Sequence, residues 1–308
     1  MTLAPSAHNT QPWRFTVRDG AIDVLVAEER HLAVSDPTRR QLYVSLGCAI
    51  ENGVIAAAAS GTEAVVRMFP KGDVAARLML KPGSATDSAG LAAAIKRRRT
   101  DRRLYDAKPL TADETAALAG VSDDNVVVVT DRAAIEQLAE QTKVGTTQTL
   151  SRRDFKEELS GWVRNSWTRQ PDGMPGYAMG MPALLSLVAA PMVKLMPIHK
   201  QEGPKAYTEM ASSSAVVVIA SRSDTREDWL LAGCSLERVW LAATAAGLAA
   251  APLASAIEAG ETTRESVRSV IGGQRWPQAL LRVGHSSGPA PRATPRRRVA
   301  DCLIVGDE

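Results

Sequence analysis

Several signatures that would assign this chain at sight are missing. Its three cysteines (Cys48, Cys234, Cys302) form no C-x-x-C pair and show no zinc spacing. An odd number also argues against a disulfide framework, so a reducing, cytoplasmic compartment is expected. The four histidines (His8, His31, His199, His285) are scattered and build no metal motif. There is no G-x-G-x-x-G and no G-x-x-x-x-G-K-[ST], which removes support for Rossmann and P-loop nucleotide binding. No RNP or zinc-finger pattern occurs, and a net charge of +3 is too small for a general polyanion binder. Nucleic acid is therefore not an expected partner. Nothing before Pro5 reads as a signal peptide. Residues 173–193 carry no charge, but Pro175, Pro182 and Pro191 interrupt them and Lys194 follows. A membrane span wants ~20 apolar residues of good helical character, so none is expected here.

What the sequence does contain is patterned. At 308 residues it has the length of two domains. Its basic residues cluster: "KRRRTDRR" at 96–103 and "PRRR" at 295–298 hold nine of the 37. Either cluster is a solvated face or an anion site, because guanidinium forks suit phosphate oxygens. In extended backbone Arg98, Thr100 and Arg102 would share one side.

An internal repeat is the most informative feature. "GCAIENGVIAAAASG" at 47–61 aligns without a gap to "GCSLERVWLAATAAG" at 233–247. Gly47/Gly233, Cys48/Cys234, Glu51/Glu237 and Gly61/Gly247 are among the identities. Both read as helices apolar nearly all round, hence buried, each closed by a C-capping glycine. "WRFTVRDGAIDVLVA" (13–27) reads as a hairpin turning at Asp19-Gly20. "AVVRMFP", "ARLMLKP", "NVVVVT", "AVVVIAS" and "PQALLRVG" read as further strands, and "TADETAALAG" as a helix with a Thr111/Glu114 capping box. Irregular alternation of helix and strand predicts an α+β fold.

Residues 160–205 hold five of the nine methionines with many Pro and Gly. They read as a packed subdomain or as a lid over a site. "APSAHNTQPWRF" (4–15) crowds hydrogen-bonding side chains between two prolines before an extended Trp13-Arg14-Phe15. Within it, His8 reads as a loop histidine satisfied by backbone, and Trp13 as a core anchor.

Four segments together resemble the nitroreductase superfamily of flavoproteins. "RRRTDRRLYDAKPLTADE" resembles its R-R-S-x-R segment, and "APSAHNTQPWRF" its P-S-x-x-N-x-Q-P-W-x-F segment. "GLAAAPLAS" (247–255) resembles its G-L-x-x-x-P stretch beside the flavin, and "TPRRRVADCL" its basic C-terminal segment. The usual chain places the arginine motif first, and two chains build two sites across their interface. Here the Asn-x-Gln-Pro-Trp element precedes the first repeat helix and the arginine motif follows it. That order resembles the Acg-like branch known from mycobacteria. It implies a nitroreductase fold in two tandem degenerate copies, an intrachain pseudo-dimer acting as a monomer, with one complete site and one dead one. The halves would be 1–90 and 91–308, with 160–205 as the lid insertion. Family members carry a helix before the P-S segment. Here only residues 1–4 stand there, so that helix is expected to be missing or dispensable.

The resemblance implies FMN as cofactor. Arg98, Arg102, Arg296 and Arg298 would hold its phosphate with Arg99 and Thr100 nearby. Ser6, Asn9 and Gln11 would reach it from the other half, and Pro252, Ala254 and Ser255 would lie by the ring. The cofactor carries the chemistry, so no catalytic side chain and no metal is expected. Two functions stay open: NAD(P)H-dependent reduction of a small electron acceptor, a nitroaromatic or quinone, and storage of FMN under a closed lid.

Overall fold

The structure is a computed structural model and describes residues 1–86, 90–121 and 123–304. The boundary expected at 90/91 follows residues 87–89, which lie outside the described residues.

The first sheet begins with the hairpin β1 (Trp13–Arg18) and β2 (Ala21–Val26). Asp19 (φ 49°) and Gly20 (φ 70°) supply the left-handed pair that a two-residue hairpin turn requires. Helix α1 (Arg40–Ala59) starts where the buried Asp36 carboxylate accepts the N–H groups of Gln41 (3.1 Å) and Leu42 (2.8 Å). Strands β3 (Thr62–Met68) and β4 (Val74–Pro82) complete an antiparallel sheet in the order β1-β2-β4-β3.

Two short helices follow, α2 (Leu91–Arg97) and α3 (Ala112–Ala119), the second opened by the expected Thr111/Glu114 capping box. Then come β5 (Val126–Val129), α4 (Arg132–Ser151) and α5 (Arg153–Trp162). The insertion holds a two-residue parallel pair, β6 (Val163–Arg164) with β7 (Met174–Pro175), and the helix α6 (Ala189–Leu195). Helix α7 (His199–Ala211) leads to β8 (Ala215–Ser221), which is buried at every residue. Helix α8 (Arg226–Ala245) has its own capping box, Thr225 with Asp228. It is followed by β9 (Ala249–Pro252), α9 (Ser255–Glu258), α10 (Glu261–Val270), β10 (Trp276–Gly284) and α11 (Val299–Cys302). The second sheet is antiparallel in the order β5-β8-β10-β9. Both sheets therefore run first-second-fourth-third, each with its long helix between the second and third strands. The expected α+β class holds.

Helices α1 and α8 are the two repeat segments, and they cross backbone to backbone. A Cβ on Gly47 would lie 2.0 Å from the Leu230 carbonyl oxygen, and one on Gly233 would lie 2.1 Å from that of Val44. The flanking thiols are exchanged across the crossing: Cys48 Sγ donates to Gly233 O (3.2 Å) and Cys234 Sγ to Gly47 O (3.3 Å). One core runs through both helices and both sheets, from Trp13, Leu46 and Leu78 to Leu230, Trp240 and Leu281. By length and composition α1 alone among the described residues could cross a membrane, and two thirds of its apolar window is buried in this core.

The C-terminal segment returns to the first sheet: Leu303 bridges Phe15 in parallel, and Ile304 N–H bonds Phe15 O at 2.8 Å. Residues 303–304 thus pair with β1 across the expected 90/91 boundary. Residues 177–180 lie over a cavity, while Leu184, Leu187 and Leu195 stand in solvent.

Replacing Gly47 or Gly233 by alanine should cost about 3 kcal/mol or more in urea denaturation, because a backbone oxygen cannot rotate aside. Gly161→Ala, where the added Cβ meets nothing within 4 Å, should be neutral or stabilising by up to about 1 kcal/mol.

Candidate functional site

A cavity of about 1050 Å³ opens where the arginine loop, the insertion and the C-terminal segment meet. That is the upper end of the ~300–1,000 Å³ usual for small-molecule sites. Eight Lys and Arg side chains line it against two carboxylates, Asp101 and Glu209. Such a wall selects an anion.

The arginine loop is built by the end of α2. The chain leaves the helix at Arg98 (φ −53°, ψ 129°) and runs extended, with Asp101 N–H bonded to Ala250 O of β9 (3.0 Å). Arg282, fully buried on β10, braces it from beneath. Its guanidinium donates to the carbonyls of Asp101 (3.2 Å), Arg103 and Glu209 and stacks on Tyr105 at 3.9 Å. Arg98, Arg99, Thr100 and Arg102 all reach the cavity wall, so the alternation expected of extended backbone does not sort them.

Arg98 is the most enclosed of these. It faces Glu237 of α8 at 3.3 Å, lies over the Trp240 ring at 4.4 Å, and donates to Leu3 O at 2.9 Å. Glu237 is fully buried, and burial raises its carboxyl against the pull of Arg98. Arg296 lies beside this pair. It donates to Asn9 Oδ1 (2.9 Å) and Thr294 Oγ1 (2.6 Å), while its Nε is buried without a partner. Burial, with Arg98 close by, pulls Arg296 down to about 9. Burial also lowers Arg102, which donates to Ala178 O of the insertion at 3.0 Å.

The N-terminal segment frames this cluster from the other side. His8, Asn9 and Gln11 all have positive φ (48°, 56°, 53°), a strained run for residues other than glycine. Asn9 holds Arg296 through its oxygen and donates to Gly173 O (3.0 Å) and Pro295 O (3.1 Å). Gln11 donates to Pro171 O (2.7 Å) and accepts the Arg297 N–H (2.8 Å). Ser6 Oγ accepts the Gln11 N–H (2.9 Å). These three side chains brace the segments around the cavity, and none of them lines it. Burial pushes His8 down to about 4, so it is neutral at ordinary pH. Its Nε2 has no partner, contrary to the backbone-satisfied histidine expected.

Besides Ser6, Asn9 and Gln11, four further expected residues are absent from the cavity lining. Arg298 points to solvent and pairs with Asp301 at 2.8 Å across the start of α11. Its neighbour Arg297 turns inward instead, onto Gln11 O (3.3 Å) and Trp13 O (3.2 Å). Pro252 is paired in β9 with Leu281, and Ala254 caps α9. Ser255 packs on α4, its Oγ 2.7 Å from Thr146 Oγ1, with its carbonyl in the space left by Gly145. Sequence reasoning missed Leu3, Glu237, Arg282 and Arg292. Glu237 was marked by the repeat, and Arg282 by being a lone charge in an apolar strand. Leu3 contributes only its carbonyl, which no sequence pattern reveals.

No protein-family model matches the chain. A protein of Mycobacterium tuberculosis that carries the provisional name NAD(P)H nitroreductase is 30% identical over 99% of this chain and 89% of its own length. The chain belongs to the nitroreductase superfamily, in its Acg-like branch. Acg of M. tuberculosis, under the same provisional name, is 29% identical over 98% of this chain and 92% of Acg. Among solved structures, the FMN-dependent nitroreductase NfnB from Mycobacterium smegmatis in complex with NADPH covers 72% of this chain and all of its own. It does so at 17% identity and a TM-score of 0.46. A nitroreductase with bound FMN from Bacteroides fragilis aligns over 72% of this chain at 16% identity, TM-score 0.42.

Glu237→Ala would strand a buried guanidinium and should cost about 3–5 kcal/mol by thermal or urea denaturation. Glu51→Ala, which frees the half-exposed Arg238, should cost clearly less.

Proposed function

We propose that this superfamily member binds one FMN per chain and serves NAD(P)H-dependent reduction of a nitroaromatic or quinone acceptor. The observation that carries the reading is the half-buried Arg296, whose Nε is buried without a partner, beside Arg98 in a cavity with a large excess of cations. A phosphate dianion answers both features, since it returns the solvation that burial took from the guanidinium groups. Arg98, Arg99, Arg102 and Arg296 hold the phosphate with the Thr100 hydroxyl. Asn9 keeps Arg296 aimed, and Ser6 and Gln11 stiffen the loop that carries Asn9. When bound, FMN supplies the electron transfer between NAD(P)H and the acceptor. The protein binds, orients and excludes water, and no side-chain acid or base is assigned. Equal strand order, reciprocal thiol contacts and a gapless repeat at the helix crossing support descent from a fused pair of nitroreductase-like halves, which one chain would complete as a monomer.

One observation favours FMN storage as a second reading. The insertion reaches over the cavity, with Ala178 O on Arg102 and the Tyr177 hydroxyl on Ala293 O (3.0 Å). Closed in this way, residues 177–180 would keep a nicotinamide from stacking.

Purified protein should be yellow with FMN near one per chain; a colourless protein indifferent to added FMN overturns both readings. Arg296→Ala should weaken FMN binding by about 2–4 kcal/mol, and Arg298→Ala should leave it unchanged, by fluorescence titration. Anaerobic bleaching of the flavin by NADH or NADPH identifies the reductase, and reduction by dithionite alone identifies the store.

A further inference from the structure

The insertion reverses the usual rule for a helix on a soluble protein. In the apolar helical run Leu185–Leu195, the small residues Ser186 and Ala189 face inward. The large ones face out: Leu187 is 59% exposed, Val188 48% and Leu195 76%, with Leu184 just before them at 77%. The inward face is fixed rather than loose, because Ser186 Oγ takes the Ser166 N–H (2.8 Å) and donates to Ala183 O (2.5 Å). Trp167, 58% exposed, borders the same cleft as Leu187, so the apolar surface continues beyond the helix. Exposed apolar patches of this kind mark a surface that something covers.

Charge identifies the occupant. Lys194 is the sole charged residue between 173 and 199, and the cations gather at the patch edge. Arg164 and Arg169 rim the Trp167 cleft, while Lys156 donates to Met196 O and Lys200 follows in α7. Of the five Lys and Arg in residues 160–205, Arg164, Lys194 and Lys205 pair with Asp172, Glu157 and Glu202, which leaves Arg169 and Lys200 to give the rim its charge. A second copy of the chain, docked by the same patch, would oppose this cationic rim to itself. A lipid surface with anionic headgroups pairs the rim and takes the leucines together. The run spans eleven residues, too short to cross a bilayer and suited to lying in its plane.

We propose that residues 182–198, with Trp167, dock the protein on an anionic phospholipid bilayer. Leu184, Leu187 and Leu195 enter the headgroup boundary, and Arg169 and Lys200 meet the lipid phosphates. Residues 177–180 of the same insertion line the arginine cavity, so docking and cavity access share one piece of chain.

The test is vesicle flotation of the full chain with equal parts phosphatidylcholine and phosphatidylglycerol, beside phosphatidylcholine alone. Wild type should float with the anionic vesicles at low salt and partly release at high salt. The variant L184E/L187E/L195E, altered at exposed positions, should keep its melting temperature and bind at least about tenfold more weakly. Wild type left unbound, or a variant that binds equally well, overturns the proposal. Sedimentation velocity without lipid separates the other occupant: a wild-type dimer that the variant dissolves would assign the patch to self-association and overturn the proposal, whereas a monomer in both supports it. The flotation assay reads lipid binding with or without FMN, so its result stands apart from the cofactor reading.

Discussion

Everything in this molecule is hung on a contact that contains no side chain. At Gly47 and Gly233 two long helices meet at backbone distance, and each thiol beside the crossing bonds the opposite glycine's carbonyl. Helix α1 carries the first sheet and α8 the second, so the spacing of the crossing sets the spacing of the sheets. The arginine loop is registered to the second sheet through Asp101 and Ala250. Residues 3–11 lead directly into the first sheet. The arginine loop lines the cavity, and the N-terminal segment meets it at Leu3 and holds Arg296 through Asn9, so the crossing sets how far apart these two supports stand.

The near-symmetry of the crossing fails at its glutamates, and the failure is informative. Glu51 and Glu237 occupy equivalent repeat positions, and both are buried. Glu51 meets Arg238, which keeps much of its side chain in water, and its carboxyl is raised to about 7 by burial. Glu237 meets Arg98, which has almost no access to solvent. Burying a pair this deeply seldom stabilises a fold on its own account. Its benefit is geometric, since Arg98 is held at the cavity wall by a partner that cannot move. Only one side of the pseudo-symmetric arrangement has an arginine motif to hold, and only there is the glutamate used in this way.

Features decided by neighbours in sequence were legible in advance, such as the Asp19-Gly20 turn, the Thr111/Glu114 box and the two apolar helices. The arginines of "PRRR" were legible as a set and not one by one. Three consecutive residues point three ways, and tertiary contacts decide which one enters. Arg298 has a local partner within reach of sequence reading, because Asp301 stands three residues on across a helix start. Ser255 was placed by its resemblance to a flavin-side stretch, yet its position is decided by the missing side chain of Gly145 on another helix. The insertion defeated pattern reading for a different reason. Apolar periodicity is read on the premise that apolar faces turn inward, and here Ser186 and Ala189 are the inward residues. A sequence rule based on burial cannot announce its own reversal.

Leu3 and Arg296 meet across 293 residues of chain, the one accepting through its carbonyl and the other donating. During synthesis the first sheet has all its strands when less than a third of the chain has emerged. The cavity cannot exist at that stage, because Arg296 has not yet been made. Arg296 follows every strand of both sheets in chain order, so the cavity's last wall is added to sheets whose strands have all been made.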